Sequence, residues 1–503
     1  MKKILLFPVF LMLFVTISKA QHFPFPQHTD YHTHIKPNQF TQDQLDDQVR
    51  AFYDQWKAKY LINGCEDDQY YVFFDSGNTV TVSEAMGYGM MIVPLMAGYD
   101  PDARMYFNGL YRYYKAHPSH IMPHLMAWKQ ITGCVNADGP DSASDGDIDI
   151  AFGLLLAHAQ WGSQGSINYF HEAQLIINDI MGNTPAEGDI NQDYYTVKLG
   201  DWVRSGHFMK GTRTSDFITD HFRAFACAVK DSSWNLVVDE CYALVDSMQT
   251  HYSPETGLLP DFIDQVDAQP APADPGFLEG EHDGDYYYNA CRDPWRLAND
   301  YLIFGDERAG NAVLKIAQWF YQSTGGSVNN IHAGYHLDGT HIYAWDDNSF
   351  TAPLAVGAML DTTHQEWLNK LYNKIRAYPI NSGGYYDNTL KLLAMITLTG
   401  NYWVPPCDIL NGTAMNAAKP HEKKFQIIYN NLSGKIALKK SADLLKKEGF
   451  ISVYDLSGHL FFEQNLDRSQ VQDLDFNHDV SGIFLISVHD REGNILGTEK
   501  IVR

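Results

Sequence analysis

The chain has 503 residues, 45% of them hydrophobic and 13% aromatic, which excludes a largely disordered protein and leaves room for one large core and a smaller second one. Lys and Arg total 37 against 61 Asp and Glu, a formal net charge of −24 that argues against non-specific affinity for nucleic acid or anionic lipid and weakly favours a neutral or cationic ligand. Beyond residue 20 no stretch approaches the ~20 apolar residues that cross a bilayer, so no membrane span is expected.

The opening "MKKILLFPVFLMLFVTISKA" has a Lys-Lys head, an apolar run broken by Pro8, and small residues Ser18 and Ala20 where a signal peptidase reads. Residues 1–20 are therefore expected to be a signal peptide, and the mature chain to be secreted or held at the cell surface. From there helical apolar spacing alternates with connections rich in Gly, Pro, Asn and Asp. The pattern predicts helices over 42–62, 82–97, 102–116, 147–161, 168–181, 217–229, 234–249, 292–304, 308–323, 351–360, 364–376 and 385–399. Some are apolar on every side and others carry one stripe, a mixture that suits an inner ring of helices packed inside an outer one.

"TVSEAMGYGMMIVPLMAG", residues 81–98, sets Glu84 at the front of an almost wholly apolar segment. Thr81-x-x-Glu84 has the spacing of a capping box, which would give Glu84 a purely structural task. A carboxylate at the mouth of a buried helix is also well placed to stay protonated, because desolvation raises its pKa. "ASDGDIDIAFGLLLAHAQW", residues 143–161, crowds Asp145, Asp147 and Asp149 at the head of another apolar helix. One acid there suits the helix dipole; three exceed that need. A calcium loop is disfavoured, since the glycine falls at its second position and Leu156 stands where such a loop ends in Glu, and no metal or other cofactor is expected. The six cysteines, Cys65, Cys134, Cys227, Cys241, Cys291 and Cys407, lack zinc-site spacing. Three or fewer disulfides or free buried thiols are both compatible with export, and the pairing is not legible.

After Pro405-Pro406 the character changes: residues 406–424 read as a linker, and 425–503 turn to β-branched and aromatic runs around Ser-Gly and Glu-Gly-Asn turns, predicting a small β-sandwich. With "VYDLSG", "GIFLISV" and a basic end "KIVR", this tail resembles the C-terminal sorting domain of type IX secretion substrates in the Bacteroidetes, which implies that secretion machinery as a partner. An accessory sugar-binding module is the weaker reading, as the tail has no Trp.

The long helical segment resembles glycoside hydrolase family 8. Ala143, Asp145, Asp147, Ile150, Ala151, Ala157 and Trp161 match the family signature, with Gly153 departing from its usual Ser or Ala. "SEAMGYGM" is similar to the segment carrying the catalytic acid, "LMAW" and "LGDW" to sugar-platform motifs at Trp128 and Trp202, and "YNACRDPWR" to a Tyr-x-x-x-Arg-x-Pro-x-Arg segment at Tyr288, Arg292 and Arg296. The likeness spans residues 40–400, within a catalytic domain drawn over 21–405. It implies a mainly α fold, an (α/α)6 barrel, and inverting hydrolysis of a β-1,4-linked polysaccharide. Glu84 would be the general acid and Asp145 a clamp on the sugar at the cleaved bond. Trp128, Trp202, Tyr288, Asn289, Arg292, Tyr385 and Tyr386 would bind the chain.

Much of the family has an Asp base where this sequence has Asn289, which cannot take a proton. A subgroup containing chitosanases and lichenases has Asn there and the base on an inserted loop upstream. The loop "DQVDAQPAPADPGFLEGEHDGDYYYN" offers Glu279, Glu281, Asp283 and Asp285. Glu279 is favoured because Phe277 and Leu278 beside it can anchor the loop, whereas the other three sit in a polar run that reads as solvated. A secreted, monomeric endo-acting glycanase is the leading reading, with β-glucanase (cellulase or lichenase) and chitosanase nearly tied and xylanase third. A non-catalytic surface polysaccharide-binding protein rests on Asn289 alone. A polysaccharide lyase would need a Tyr or His base beside neutralising cations, which these motifs do not supply.

Overall fold

The computed structural model describes residues 22–137, 139–411 and, in the tail, 425–430, 435–440, 444–446, 448–455, 460–474, 483–491 and 495–502. The expected signal peptide and residues 412–424 of the expected linker lie outside the described residues. The chain divides into two compact units, residues 1–415 and 416–503.

The first unit is built on α1 (Gln42–Tyr60), α2 (Ser83–Leu95), α3 (Ala103–Ala116), α4 (Ser144–Trp161), α5 (Tyr169–Met181), α6 (Thr219–Val229), α7 (Ser233–His251), α8 (Asp293–Phe304), α9 (Glu307–Ser323), α10 (Asn348–Gly357), α11 (Gln365–Ala377) and α12 (Tyr385–Leu398). Burial alternates along this series. Every residue of α4 and α10 is buried, as is every residue of α2 except Glu84. On α9 only a stripe is covered: Ala309, Gly310, Ala312, Val313, Ile316, Ala317 and Phe320. The even-numbered helices pack side by side as an inner ring, and each odd-numbered one lies against an inner neighbour. This is an (α/α)6 barrel. Because each outer helix returns the chain, the inner helices run the same way and open their N-termini at one end.

The other end is sealed by the segment before α1. Phe23 stacks on Trp403 at 4.5 Å, the Phe25 N–H donates to the Ala97 carbonyl, and the Tyr31 hydroxyl donates to the Tyr402 carbonyl. Within the ring α2 and α4 approach most closely, and glycine permits it: a Cβ on Gly87 would lie 2.6 Å from the Asp149 Cβ, and one on Gly153 2.7 Å from the Met90 carbonyl oxygen. Gly153, the departure from the family signature, is thus where two helix backbones touch.

The capping box at Thr81 does not form. Thr81 belongs to a strand, Thr79–Val82, paired with Lys129–Ile131, and that pairing holds it extended; the N-cap is Val82 and no side chain caps α2. Glu84 therefore has no capping role. Residue 406 is likewise not the start of a free linker: a short helix, α13 (Cys407–Leu410), carries the buried Leu410 and is tied by a Cys227–Cys407 disulfide to the end of α6. A second disulfide joins Cys65 to Cys134, while Cys241 and Cys291 are buried thiols.

In the second unit the described residues form two antiparallel sheets. One contains Phe425–Asn430, Lys435–Lys440 and Val471–Leu474; the other orders Leu460–Asn465, Gly449–Asp455, Ile483–Asp490 and Ile495–Val502. Alternate residues, Ile451 and Val453 on one strand and Ile486 and Val488 on another, join Phe425, Leu438, Leu444 and Leu474 in one apolar cluster.

Cross-linking positions 180 residues apart removes much chain entropy from the unfolded state. The Cys227→Ser/Cys407→Ser double variant is expected to lose about 2–4 kcal/mol of stability in urea unfolding, with hydrolytic activity on the folded protein retained.

Candidate active site

The open end of the barrel gathers side chains from the N-terminal ends of the inner helices around one guanidinium. Arg292 closes a 3-10 turn, Ala290–Arg292, that runs into α8, and is 1% exposed. Its Nη1 donates to Glu84 Oε2 at 2.8 Å, Asp145 Oδ2 at 2.9 Å and the Tyr88 hydroxyl at 3.2 Å. Its Nη2 donates to Ser215 Oγ at 2.7 Å and Asn289 Oδ1 at 3.0 Å. One buried cation therefore fixes the relative positions of α2, α4, the turn before α6 and the turn before α8.

Glu84 and Asp145 share that cation yet differ in charge state. Burial pushes the Glu84 carboxyl up to about 7, aided by the negative charge of Asp145 and opposed by Arg292 and by a 3.0 Å hydrogen bond from the Tyr385 hydroxyl. Burial acts on Asp145 too, but Arg213, whose Nη2 lies 3.1 Å from Oδ1, and Arg292 overcome it and hold this carboxyl well below the usual range. The Gly146 N–H adds a 2.9 Å hydrogen bond to the same oxygen. The surroundings thus drive the two acids apart: Glu84 can hold a proton near neutrality, while Asp145 stays a fixed anion. Asp147 and Asp149 stay outside the site. Asp147 accepts from the Met126 N–H at 2.8 Å, and Asp149 forms a buried bidentate pair with Arg296 at 3.0 and 2.6 Å.

Glu279 reaches the site from the loop before α8, its side chain about half exposed. Its Oε2 accepts from Asn289 Nδ2 at 3.0 Å, and its Oε1 lies 3.8 Å from Arg213 Nη1. The Asn289 amide is clamped at both ends, with Oδ1 on Arg292 and Nδ2 also on Asp261 Oδ2 at 3.2 Å. An amide and a guanidinium thus stand between Glu279 and Glu84. Of the expected loop anchors, Phe277 packs edge-on against Phe208 at 5.3 Å, but Leu278 is exposed. Asp283 is not solvated as expected. It is 3% exposed and accepts the N–H groups of Leu278, Glu279 and Gly280 at 2.7, 3.1 and 2.9 Å, because a tight loop must find acceptors for its inward amides. Asp285 bridges His282 and His336, while Glu281 is exposed.

The aromatic residues divide. Trp128 is 39% exposed, its carbonyl accepting the Ser83 N–H at 2.8 Å, so it stands beside the start of α2. Trp202 is half-buried, edge-on to Phe208 at 5.1 Å. The Tyr386 hydroxyl donates to the Tyr288 carbonyl at 2.6 Å and the Tyr288 hydroxyl to Asp347 at 3.0 Å, whereas Tyr385 is buried against Glu84. Sequence reasoning missed Arg213, Ser215 and Asp261. Asp261 receives the N–H groups of Tyr287, Asn289 and Ala290 at 2.9, 3.0 and 2.7 Å, and burial raises it to about 7. One of two Asp residues within "LLPDFID", it carried no signal that set it apart from Asp264. Among the described residues no group of His, Cys, Asp and Glu is arranged to hold a metal.

A helical barrel whose mouth holds a protonatable carboxyl, a fixed anion and a third carboxylate on a facing loop, with an exposed Trp at its rim, defines a polysaccharide-cleaving hydrolase. The model of Glycosyl hydrolases family 8 matches residues 42–400, and the chain belongs to that family. It is a glycoside hydrolase. A beta-glucanase of Niallia circulans is 46% identical over 385 residues, covering 76% of this chain and 92% of that protein. An endoglucanase of Bacillus sp. (strain KSM-330) is 38% identical over 393 residues, 76% of this chain and 82% of its own. Among solved structures, the apo beta-1,3-1,4-glucanase from Paenibacillus sp. X4 is 45% identical and superposes with a TM-score of 0.73, covering 76% of this chain and all (100%) of that one.

Asp283→Ala leaves three backbone N–H groups of the Glu279 loop without their acceptor. Hydrogen exchange at residues 278–280 should accelerate at least ~10-fold and stability fall by about 1–3 kcal/mol, while Glu281→Ala changes neither.

Proposed function

We propose that the protein is a secreted, inverting endo-glucanase that cleaves β-1,4 linkages in a β-glucan, with Glu84 as general acid, Glu279 as base and Asp145 as a clamp on the sugar at the cleaved bond. The observation that carries this reading is the pairing of Glu84, raised to about 7 by burial, with an Asp145 held ionised by Arg213 and Arg292. Glu84 donates its proton to the glycosidic oxygen as the bond from C1 breaks. A water held by Glu279 attacks C1 from the opposite face and gives that carboxylate its proton; exchange with solvent resets both groups. The Asn289 amide supports this division of labour. It cannot be the base, but it steers one Glu279 oxygen through its Nδ2 hydrogen bond.

The polymer preference follows the relatives: two bear glucanase names and a third is named a beta-1,3-1,4-glucanase, which tilts the choice toward β-glucan over chitosan and xylan. A non-catalytic binding role is disfavoured because Glu279 supplies the carboxylate that Asn289 lacks. Export by way of residues 1–20, a tail that is a β-sandwich sorting domain for type IX secretion, and a monomeric state belong to the same proposal. The "VYDLSG" and "GIFLISV" segments support the sorting role.

Glu84→Gln should retain affinity for β-glucan oligosaccharides while kcat falls ~10²–10⁴-fold, because the amide keeps the shape but has no acidic proton to donate. Proton NMR during the first minutes of wild-type hydrolysis should show the α-anomer at the new reducing end. An initial β-anomer would refute inversion, and near-normal turnover by the Gln variant would remove Glu84 from the chemistry.

Glu84 works as an acid only when protonated, and a carboxyl titrating at about 7 loses that proton as pH rises. The kcat/KM profile should therefore decline above pH ~7, about tenfold per unit. The Tyr385 hydrogen bond favours the charged form, so Tyr385→Phe should move this alkaline limb to higher pH; a limb left in place, or moved to lower pH, would contradict the assignment.

A further inference from the structure

We infer that Trp345 and Tyr343 form a further sugar-binding platform for the polysaccharide, at the rim of the cleft facing Trp128 and Trp202. The inference rests on the glucanase reading above. Trp345 is 54% exposed, the most exposed large aromatic side chain among the described residues. An indole so placed loses apolar burial unless something covers it in use. It is also held rigidly: its ring stacks on Tyr343 with centroids 4.0 Å apart and planes 18° apart. The Tyr343 hydroxyl is 3.1 Å from that of Tyr287, which packs edge-on against Tyr288 at 4.8 Å.

The backbone around the indole is pinned as well. The Trp345 carbonyl accepts the Ala333 N–H at 2.9 Å, Asp346 pairs with Lys374 at 2.8 Å, and Asp347 caps α10 through the Ser349 N–H while accepting the Tyr288 hydroxyl. An aromatic face with few rotamers left to lose can stack on a pyranose ring at little entropic cost.

The topology fixes which side of the mouth this is. Trp345 lies just before the N-terminus of α10, at the end of the barrel where Glu84, Asp145 and Arg292 meet. Trp128 precedes α4 and Trp202 follows α5, so both flank α4. In a closed ring of six inner helices, α4 is second and α10 fifth, and the two face each other across the mouth. A glucan chain laid over the Glu84 carboxyl from the α4 side leaves by way of Tyr288 and reaches Trp345. The platform is thus a distal subsite, engaged only by chains long enough to span the cleft.

The test compares kcat/KM for cello-oligosaccharides of three to six units and for mixed-linkage β-glucan in the wild type, Trp345→Ala and Trp345→Phe. The loss in Trp345→Ala should grow with chain length, reaching on the order of tenfold more for the hexamer than for the trimer, with Phe restoring most of it. Calorimetric affinity for the hexamer in a Glu84→Gln background should weaken by a similar factor. Equal loss at every length, or no loss at any, overturns the platform while leaving the glucanase reading intact. A wild type that neither cleaves nor binds any of these glucans overturns the glucanase reading, and the platform with it.

Discussion

The buried Arg292 guanidinium is the constraint on which the open end of this barrel depends. A charge removed from water is tolerated only when its hydrogen-bonding capacity is filled, and here the partners come from four separate stretches of chain: Glu84 and Tyr88, Asp145, Ser215, and Asn289. Satisfying one side chain therefore sets the mouth of the ring. The same requirement couples the charges, since two carboxylates cannot both draw full compensation from a single cation. Asp145 is in direct contact with Arg213 as well and remains an anion; Glu84 touches Arg292 and a tyrosine hydroxyl, feels Arg213 more weakly, and burial prevails.

Magnitudes show why burial prevails. Glu84 sits in the first turn of α2, where the helix dipole favours the ionised form by roughly 0.3–1 kcal/mol, up to ~2 in partly buried settings. A rise from 4.5 to about 7 corresponds to about 3 kcal/mol in the opposite direction. The dipole and the arginine therefore moderate the shift without reversing it. A carboxyl desolvated this far, but not further, sits near the pH at which a proton donor is most useful.

The side of the mouth that holds Glu279 is organised by a different principle. Glu279 is half exposed on a loop, so its position is set by neighbours that are themselves buried: Asp283 gathers the amides of residues 278–280, Asp261 gathers those of 287, 289 and 290, and Asn289 links the two systems. The substitution that looks disabling in the sequence, Asn for Asp at position 289, is compatible with such a site because an amide can donate to a carboxylate, whereas a second carboxylate there would repel it.

Much of this was legible in the sequence, for a physical reason. Helix existence and the distinction between inner and outer helices depend on the spacing of apolar residues within a few turns, and α9, striped, and α2, apolar on every side beyond its first turn, carry that information locally. Glu84, Asp145 and Arg292 were legible because each sits in a compact motif at the head of an inner helix. What the sequence could not decide were matters of partnership. Thr81 has capping-box spacing, yet pairing with Lys129–Ile131 holds it in a strand. Asp283 looks like a solvated loop residue, yet it is the acceptor on which that loop closes. Cys227 finds Cys407 across 180 residues, and Asp261 and Arg213 matter only because distant segments bring Asn289 and Asp145 to them. Local periodicity is written into neighbouring residues, but which buried polar group satisfies which other is settled only when the barrel closes and each must find its partner or remain unpaired.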